Sequence, residues 1–261
     1  MIRRTLAPVG FIALSVLLVA CSGGGPTAQP ATRPATLSSP TPTEVSLDCT
    51  DSDPCTLPPG TYDTGTSDGA FHPGMSLTLT STWGSHSLDK YEFSLYPTSH
   101  PDDRLFFWED MVAVKSSGPG HGTTILKNVG TSPKAMMAWL TGDPDFHIIS
   151  PPTTVTSAGG LEATRVVLMI SKKARYGDSR CPANPRCADL FTRRDFGEYY
   201  SIGGRNEIIR LDIASIKIDG RPHTLFIVLD TGGGHAGLQQ LAALAQPVID
   251  SVRLHSGVTS G

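Results

Sequence analysis

The sequence lacks an apolar run long enough to cross a bilayer. Its N-terminal run, Val9 to Ala20, falls well short of the ~20 residues that a spanning helix needs, which excludes a membrane-spanning segment there. Positive charge is also scarce: 21 Lys and Arg stand against 24 Asp and Glu, a net charge of −3. Without residues 1–20 the balance falls to −5, so nucleic acid is not an expected partner. No N-x-[ST] acceptor occurs, so any sugar would have to be O-linked. The eight histidines never fall in H-x-H or H-E-x-x-H spacing. Each is therefore expected in a loop, and neither a metal site nor a cofactor is expected. Two glycine-rich stretches, 118–122 and 232–237, lack the Lys-Ser/Thr of a P-loop, although the second opens a helix whose N-terminus attracts anions.

What the chain does have begins with Arg3 and Arg4 ahead of the apolar run, which closes on Leu18-Val19-Ala20-Cys21. A basic start and a small residue before the cut are the marks of a secretory signal. The tetrapeptide resembles the lipobox of exported bacterial lipoproteins. That resemblance implies that Cys21 Sγ takes a diacylglyceryl group, that cleavage falls before it, and that the new amino group is acylated. Two or three acyl chains make a stable anchor where one does not. The expected location is the extracytoplasmic face of the cell membrane, with the membrane itself as a partner through the lipid.

From Ser22 to about Glu44 the chain is nearly all Gly, Pro, Ser, Thr and Ala, with prolines at 26, 30, 34, 40 and 42. Such a segment buries too little to offset ordering and reads as a tether of roughly 30 to 80 Å. The organisation expected is a signal over 1–20, a lipidated cysteine and tether over 21–46, an extracytoplasmic domain over 47–256, and a disordered tail over 257–261.

With Cys21 lipidated, Cys49, Cys55, Cys181 and Cys187 remain, an even number in a chain sent to an oxidising compartment. Both pairs have the spacing C-x5-C with proline inside. Pairings 49 to 55 and 181 to 187 are favoured among three possible connectivities, each small loop contributing roughly 2 to 2.5 kcal/mol. The spacing and compartment disfavour zinc.

Strand signals dominate the domain. Met75 to Thr80 and Tyr91 to Tyr96 alternate apolar and polar, Leu105 to Val114 is aromatic and β-branched, and Thr164 to Ser171 is an apolar run. Glu207 to Ile218 and Pro222 to Leu229 flank Asp219-Gly220, which suits a type I′ hairpin. The hydrophobic phase of the first strand shifts near Ala214, so either both faces are covered or a bulge resets it. Ser132-Pro133 opens a short helix ending at Gly142, with Met136, Trp139 and Leu140 as core. A last helix runs from about Ala236 to Val252, where Pro247 is expected to kink or divide it. The fold class expected is α+β, a single domain of mainly antiparallel sheet with a short helix and a C-terminal helix packed on it.

Pro59-Gly-Thr-Tyr62, Ala138-Trp-Leu140 with Gly159-Gly160, and Asp250-Ser-Val-Arg253 together resemble a poorly characterised group of exported actinobacterial envelope lipoproteins. A more distant similarity to PsbP-like lipoproteins implies α+β architecture and supplies no catalytic residues.

Two Asp-Thr-Gly triplets, at Asp63 and Asp230, resemble the paired motifs of pepsin-like aspartic peptidases, whose two carboxylates share one proton. Too little chain follows Asp230 to complete a second lobe, and both triplets also read as polar strand ends running into glycine turns. A third alternative is a small-ligand carrier with an apolar pocket. Residues 172–194 hold seven Lys and Arg against two Asp, a basic loop on an acidic body with aromatics beside it. Arg175, Arg180, Arg186, Arg193 and Arg194 are the candidate binding residues, suited to an anionic envelope polymer or an acidic protein surface. The expected function is that of a non-catalytic binding or interaction module.

Overall fold

The computed structural model describes residues 43–44, 49, 53–65, 71–116, 123–174, 187–193, 199–204, 206–255 and 257–261. All of them belong to the unit from Pro40 to Gly261. The expected signal over 1–20, with Cys21, lies outside the described residues.

In chain order the strands are β1 (Thr43–Glu44), β2 (Cys55–Leu57), β3 (Gly60–Asp63), β4 (Met75–Leu79), β5 (Trp83–Leu88), β6 (Glu92–Pro97), β7 (Arg104–Glu109), β8 (Val112–Ser116) and β9 (Thr123–Ile125). Helix α1 (Pro133–Gly142) leads to β10 (Phe146–Thr156), β11 (Glu162–Ile170), β12 (Cys187–Thr192), β13 (Tyr199–Gly203), β14 (Ile208–Ile218) and β15 (Arg221–Thr231). Helix α2 (Gly234–Ser251), β16 (Arg253–Leu254) and β17 (Val258–Ser260) complete it.

A nine-stranded sheet carries the fold. Its order is β10-β11-β14-β15-β7-β6-β5-β2, antiparallel throughout, with β17 added beside β14. Strands β1-β3-β4-β16 and β13-β12-β8-β9 form two four-stranded sheets. Among the described residues the architecture is mostly antiparallel sheet with two α-helices, one of them C-terminal, and it is not a closed barrel.

The hairpin β14–β15 forms because Asp219 and Gly220 both accept positive φ, 50° and 77°, the backbone that a type I′ turn requires. Its pairing runs without a shift from Ile208↔Thr231 to Ile218↔Arg221. No bulge resets the phase, so both faces of β14 are covered. Ile209, Leu211 and Ile213 join the core built from α1, β12 and β13, whereas Ala214, Ile216 and Ile218 join the core built from α2, β3 and β4. Burying each of these leucine and isoleucine side chains contributes about 1.5 to 3 kcal/mol, so a strand feeding two cores anchors both.

Helix α1 starts where Ser132 Oγ accepts from the Ala135 N–H at 3.3 Å and Pro133 occupies the first turn. It packs Met136, Met137 and Leu140 on the sheet. Helix α2 sets Leu241, Ala245, Val248 and Ile249 on the opposite face. It runs undivided through Pro247, which lies on its exposed side. The expected division there does not occur.

The tail expected to be disordered is instead partly a strand. β11 pairs β14 only as far as Ala163↔Ala214, leaving the backbone groups of Ile216 to Ile218 open on that edge. β17 fills the gap, pairing Ser260 with Ile216 and Val258 with Ile218, which satisfies backbone groups that would otherwise lack partners.

Candidate metal centre

Three segments distant in sequence meet at the rim of the nine-stranded sheet. β7 delivers Glu109 at its last position, and Asp110, whose φ is 49°, follows it directly. β15 delivers His223, two residues before Leu225, the register partner of Glu109. His72 comes from the turn before β4, where its backbone N–H donates to Lys90 O at 2.8 Å and Gly74 N–H donates to Phe71 O at 2.8 Å.

The donor atoms converge. His72 Nδ1 lies 2.9 Å from both Glu109 oxygens, and His223 Nδ1 lies 2.7 Å from Glu109 Oε1. Asp110 Oδ2 is 2.8 Å from the same His223 nitrogen, while Asp110 Oδ1 accepts from the Thr224 N–H at 2.8 Å. The rings of His72 and His223 meet edge-on with centroids 5.7 Å apart. One nitrogen from each histidine and one Glu109 oxygen all lie within 4.8 Å of one another.

Exposure divides the group. The Glu109 side chain is 2% exposed and that of His223 18%, whereas those of His72 and Asp110 are 40% exposed. Burial pushes the Glu109 carboxyl above its ordinary range, even though the hydrogen bond and charge of His72 pull it down. A carboxylate stripped of water beside two imidazole nitrogens gains most from a cation held among them.

The donor chemistry fits a transition metal. Imidazole nitrogen with carboxylate oxygen suits zinc, copper, iron or nickel, whereas calcium and magnesium prefer all-oxygen sets. Bonds of about 2.0 to 2.1 Å in a tetrahedron hold ligand atoms about 3.3 Å apart. The His–Glu109 spacings of 2.7 to 2.9 Å need to open by only about half an ångström, and the two histidine nitrogens lie within 4.8 Å of one another.

A second ionisable group lies on the opposite face of the sheet. Burial pushes the Asp230 carboxyl up to about 6, with Tyr200 and Arg104 beside it pulling down. Burial and the Asp230 charge raise Glu207 to about 8, while the Gly203 N–H donates to its Oε2 at 2.8 Å. The partner of Asp230 is thus Glu207 rather than Asp63. Asp63 ends β3, where its Oδ2 faces His255 Nε2 at 3.0 Å and its Oδ1 accepts from the Gly65 N–H at 2.7 Å. The two Asp-Thr-Gly triplets are not brought together.

Residues 232–237 spell G-x-G-x-x-G from the turn after β15 through the first turn of α2. A dinucleotide fold would continue from α2 into a parallel strand beside β15. Here α2 leads to β16, antiparallel to β4 in another sheet. Gly237 has a packing role: a Cβ there would stand 2.6 Å from Thr231 Oγ1, which itself accepts from the Gly233 N–H at 3.0 Å. Gly65-Thr66-Ser67-Asp68-Gly69 has the G-x-S-x-G spacing of a nucleophile elbow. Residues 66–70 lie outside the described residues, and the next element is the strand β4, not the helix that an elbow opens.

Of the expected disulfides, Cys49 is bonded to Cys55. Cys187 is also disulfide-bonded, and Cys181 lies outside the described residues. Arg175, Arg180, Arg186 and Arg194 likewise lie outside them. Arg193 is 7% exposed and pairs with Asp89, its guanidinium 5.8 Å from the centre of the Tyr91 ring. Its guanidinium is thus committed to Asp89, whose own side chain is 42% exposed. A cavity of about 500 Å³ lies where α1 meets β11, β14 and β17. Lys134, Glu162 and Ser215 share its walls with Met137 and Ile213, so it is of mixed character and not apolar.

Sequence reasoning placed His72 and His223 in loops and missed Glu109 and Asp110. Only the register that sets Leu225 against Glu109 brings them together. Compared with known proteins, the chain matches no family model and no curated protein.

Proposed function

We propose that this protein is a lipid-anchored, extracytoplasmic binding module, carried on one α+β domain, whose ligand is a divalent transition-metal ion held by His72, Glu109 and His223. The convergence of their three donor atoms within 4.8 Å carries the reading. The lipobox-like Leu18 to Cys21 and the paired cysteines support the compartment. The role in this reading is retention of the ion; the Asp-Thr-Gly pair that suggested a hydrolase supplies no second site, since Asp63 faces His255 and Asp230 lies beside Glu207.

Calorimetric titration of zinc into chelator-treated protein tests this. The wild type should bind one ion per chain. The double variant His72→Ala/His223→Ala should lose more than about a hundredfold in affinity, with its circular dichroism unchanged. A wild type that takes up no zinc, copper, iron or nickel, or a double variant that binds equally well, would overturn the proposal.

A further inference from the structure

Asp110 is the residue the three-ligand description leaves unexplained. Outside the Asp219 hairpin turn, it is the sole non-glycine among the described residues with positive φ, a backbone that L side chains other than Asn and Asp rarely adopt. That conformation turns its carboxylate back over the sheet. Its backbone N–H donates to Thr224 O at 2.9 Å, and its Oδ1 accepts from the Thr224 N–H at 2.8 Å. The carboxylate therefore hangs from β15 by one oxygen, and the other, Oδ2, is aimed at His223 Nδ1 at 2.8 Å.

That same nitrogen is the donor that an ion would take. Once metal replaces the proton on His223 Nδ1, Asp110 Oδ2 loses its hydrogen bond and faces a cation one bond away. The oxygen bound to Thr224 stays in place as a pivot, so a small rotation carries the free one onto the ion. Its side-chain exposure of 40% leaves room to turn.

We infer that Asp110 is a fourth ligand, recruited when the ion binds, so that the site closes as a four-coordinate N2O2 centre of the zinc class filled from solvent. This rests on the metal-binding reading above. Glu109 and His223 are the rooted pair, while His72 and Asp110, both 40% exposed, form the solvent side. An ion can enter or leave past those two without opening either core. Four protein donors leave no position for a reactive water, which suits capture and hand-over.

Cobalt(II) substitution reads the coordination directly. The wild type should show the intense visible absorption of a tetrahedral cobalt centre. Asp110→Asn tolerates the same backbone, and Asp110→Gly relieves it altogether while removing the carboxylate. Each should weaken zinc binding by about tenfold or more and change the cobalt spectrum, its bands moving where one water replaces the carboxylate and weakening where further waters raise the coordination number. Binding in the wild type with unchanged affinity and spectrum in both variants would overturn the fourth-ligand assignment and leave the three-ligand site standing. Absence of any binding in the wild type would instead overturn the site itself.

Discussion

Arg165 holds Asp212 side-on, with Nε 2.6 Å from Oδ1 and Nη2 2.7 Å from Oδ2. The two are register partners on β11 and β14. Asp212 is fully buried, and its remaining partners are Ser157 Oγ at 3.0 Å and Arg210 Nη2 at 3.4 Å. Removing one member of a buried pair strands the other charge, which costs far more than the intact pair contributes. Arg165→Met is therefore expected to destabilise the protein by about 3 kcal/mol in urea unfolding. Arg165→Lys should rescue little of this, since an ammonium cannot make the two parallel bonds. A loss below about 1 kcal/mol would show that Arg210 alone satisfies Asp212.

The Glu207 and Asp230 carboxyls predict a dependence of stability on pH. In the folded protein Glu207 titrates near about 8 against an ordinary value of 4.5, and Asp230 near about 6 against 3.8. Raised values mean that the folded state holds protons more tightly than the unfolded chain. The contribution to stability is therefore full at low pH and is lost as pH climbs, by up to about 1.4 kcal/mol per unit for each group. For Glu207 that window runs from 4.5 to about 8. Unfolding free energies measured across it should fall more steeply in the wild type than in Glu207→Gln. Parallel curves for the two would refute the coupling.

Gly237 is expected to resist enlargement although it lies in the first turn of a helix. A Cβ there would stand 2.6 Å from Thr231 Oγ1, and Thr231 is fully buried. Helix and strand must separate to admit it. The strain exceeds the ~1 kcal/mol that alanine gains over glycine in a helix, leaving a net loss of about 1 to 2 kcal/mol. Gly232→Ala is the control, because nothing lies within 4 Å of a Cβ at that position. Thermal unfolding of the two variants side by side should separate them, and equal midpoints would count against close packing as the reason for the glycine.

Much of the frame was legible in the chain because its signals are local. Asp219-Gly220 announced the hairpin, Ser132-Pro133 the start of α1, and the spacing from Leu241 to Val248 the buried face of α2. β10 was not legible, since Pro151 and Pro152 argue against a strand. The sheet accommodates them by placing β10 at its edge, exposing both prolines and shifting register between Ser150 and Thr153. The metal centre was invisible for a different reason. His72 and Glu109 are 37 positions apart and Asp110 and His223 are 113 apart, so no local spacing encodes their meeting. Arg193 shows the converse: a basic run suggested a charged surface, and the fold turned that side chain inward to Asp89.

The unbroken alternation along β14 makes that strand intolerant of any change in length. Deleting a single residue from its middle would swing Arg210 and Asp212 toward the aromatic layer around Trp108 and Phe226, and would send Ile209 and Leu211 toward the ion-paired Arg165 side. Both halves of the molecule would then be miswired by one excision.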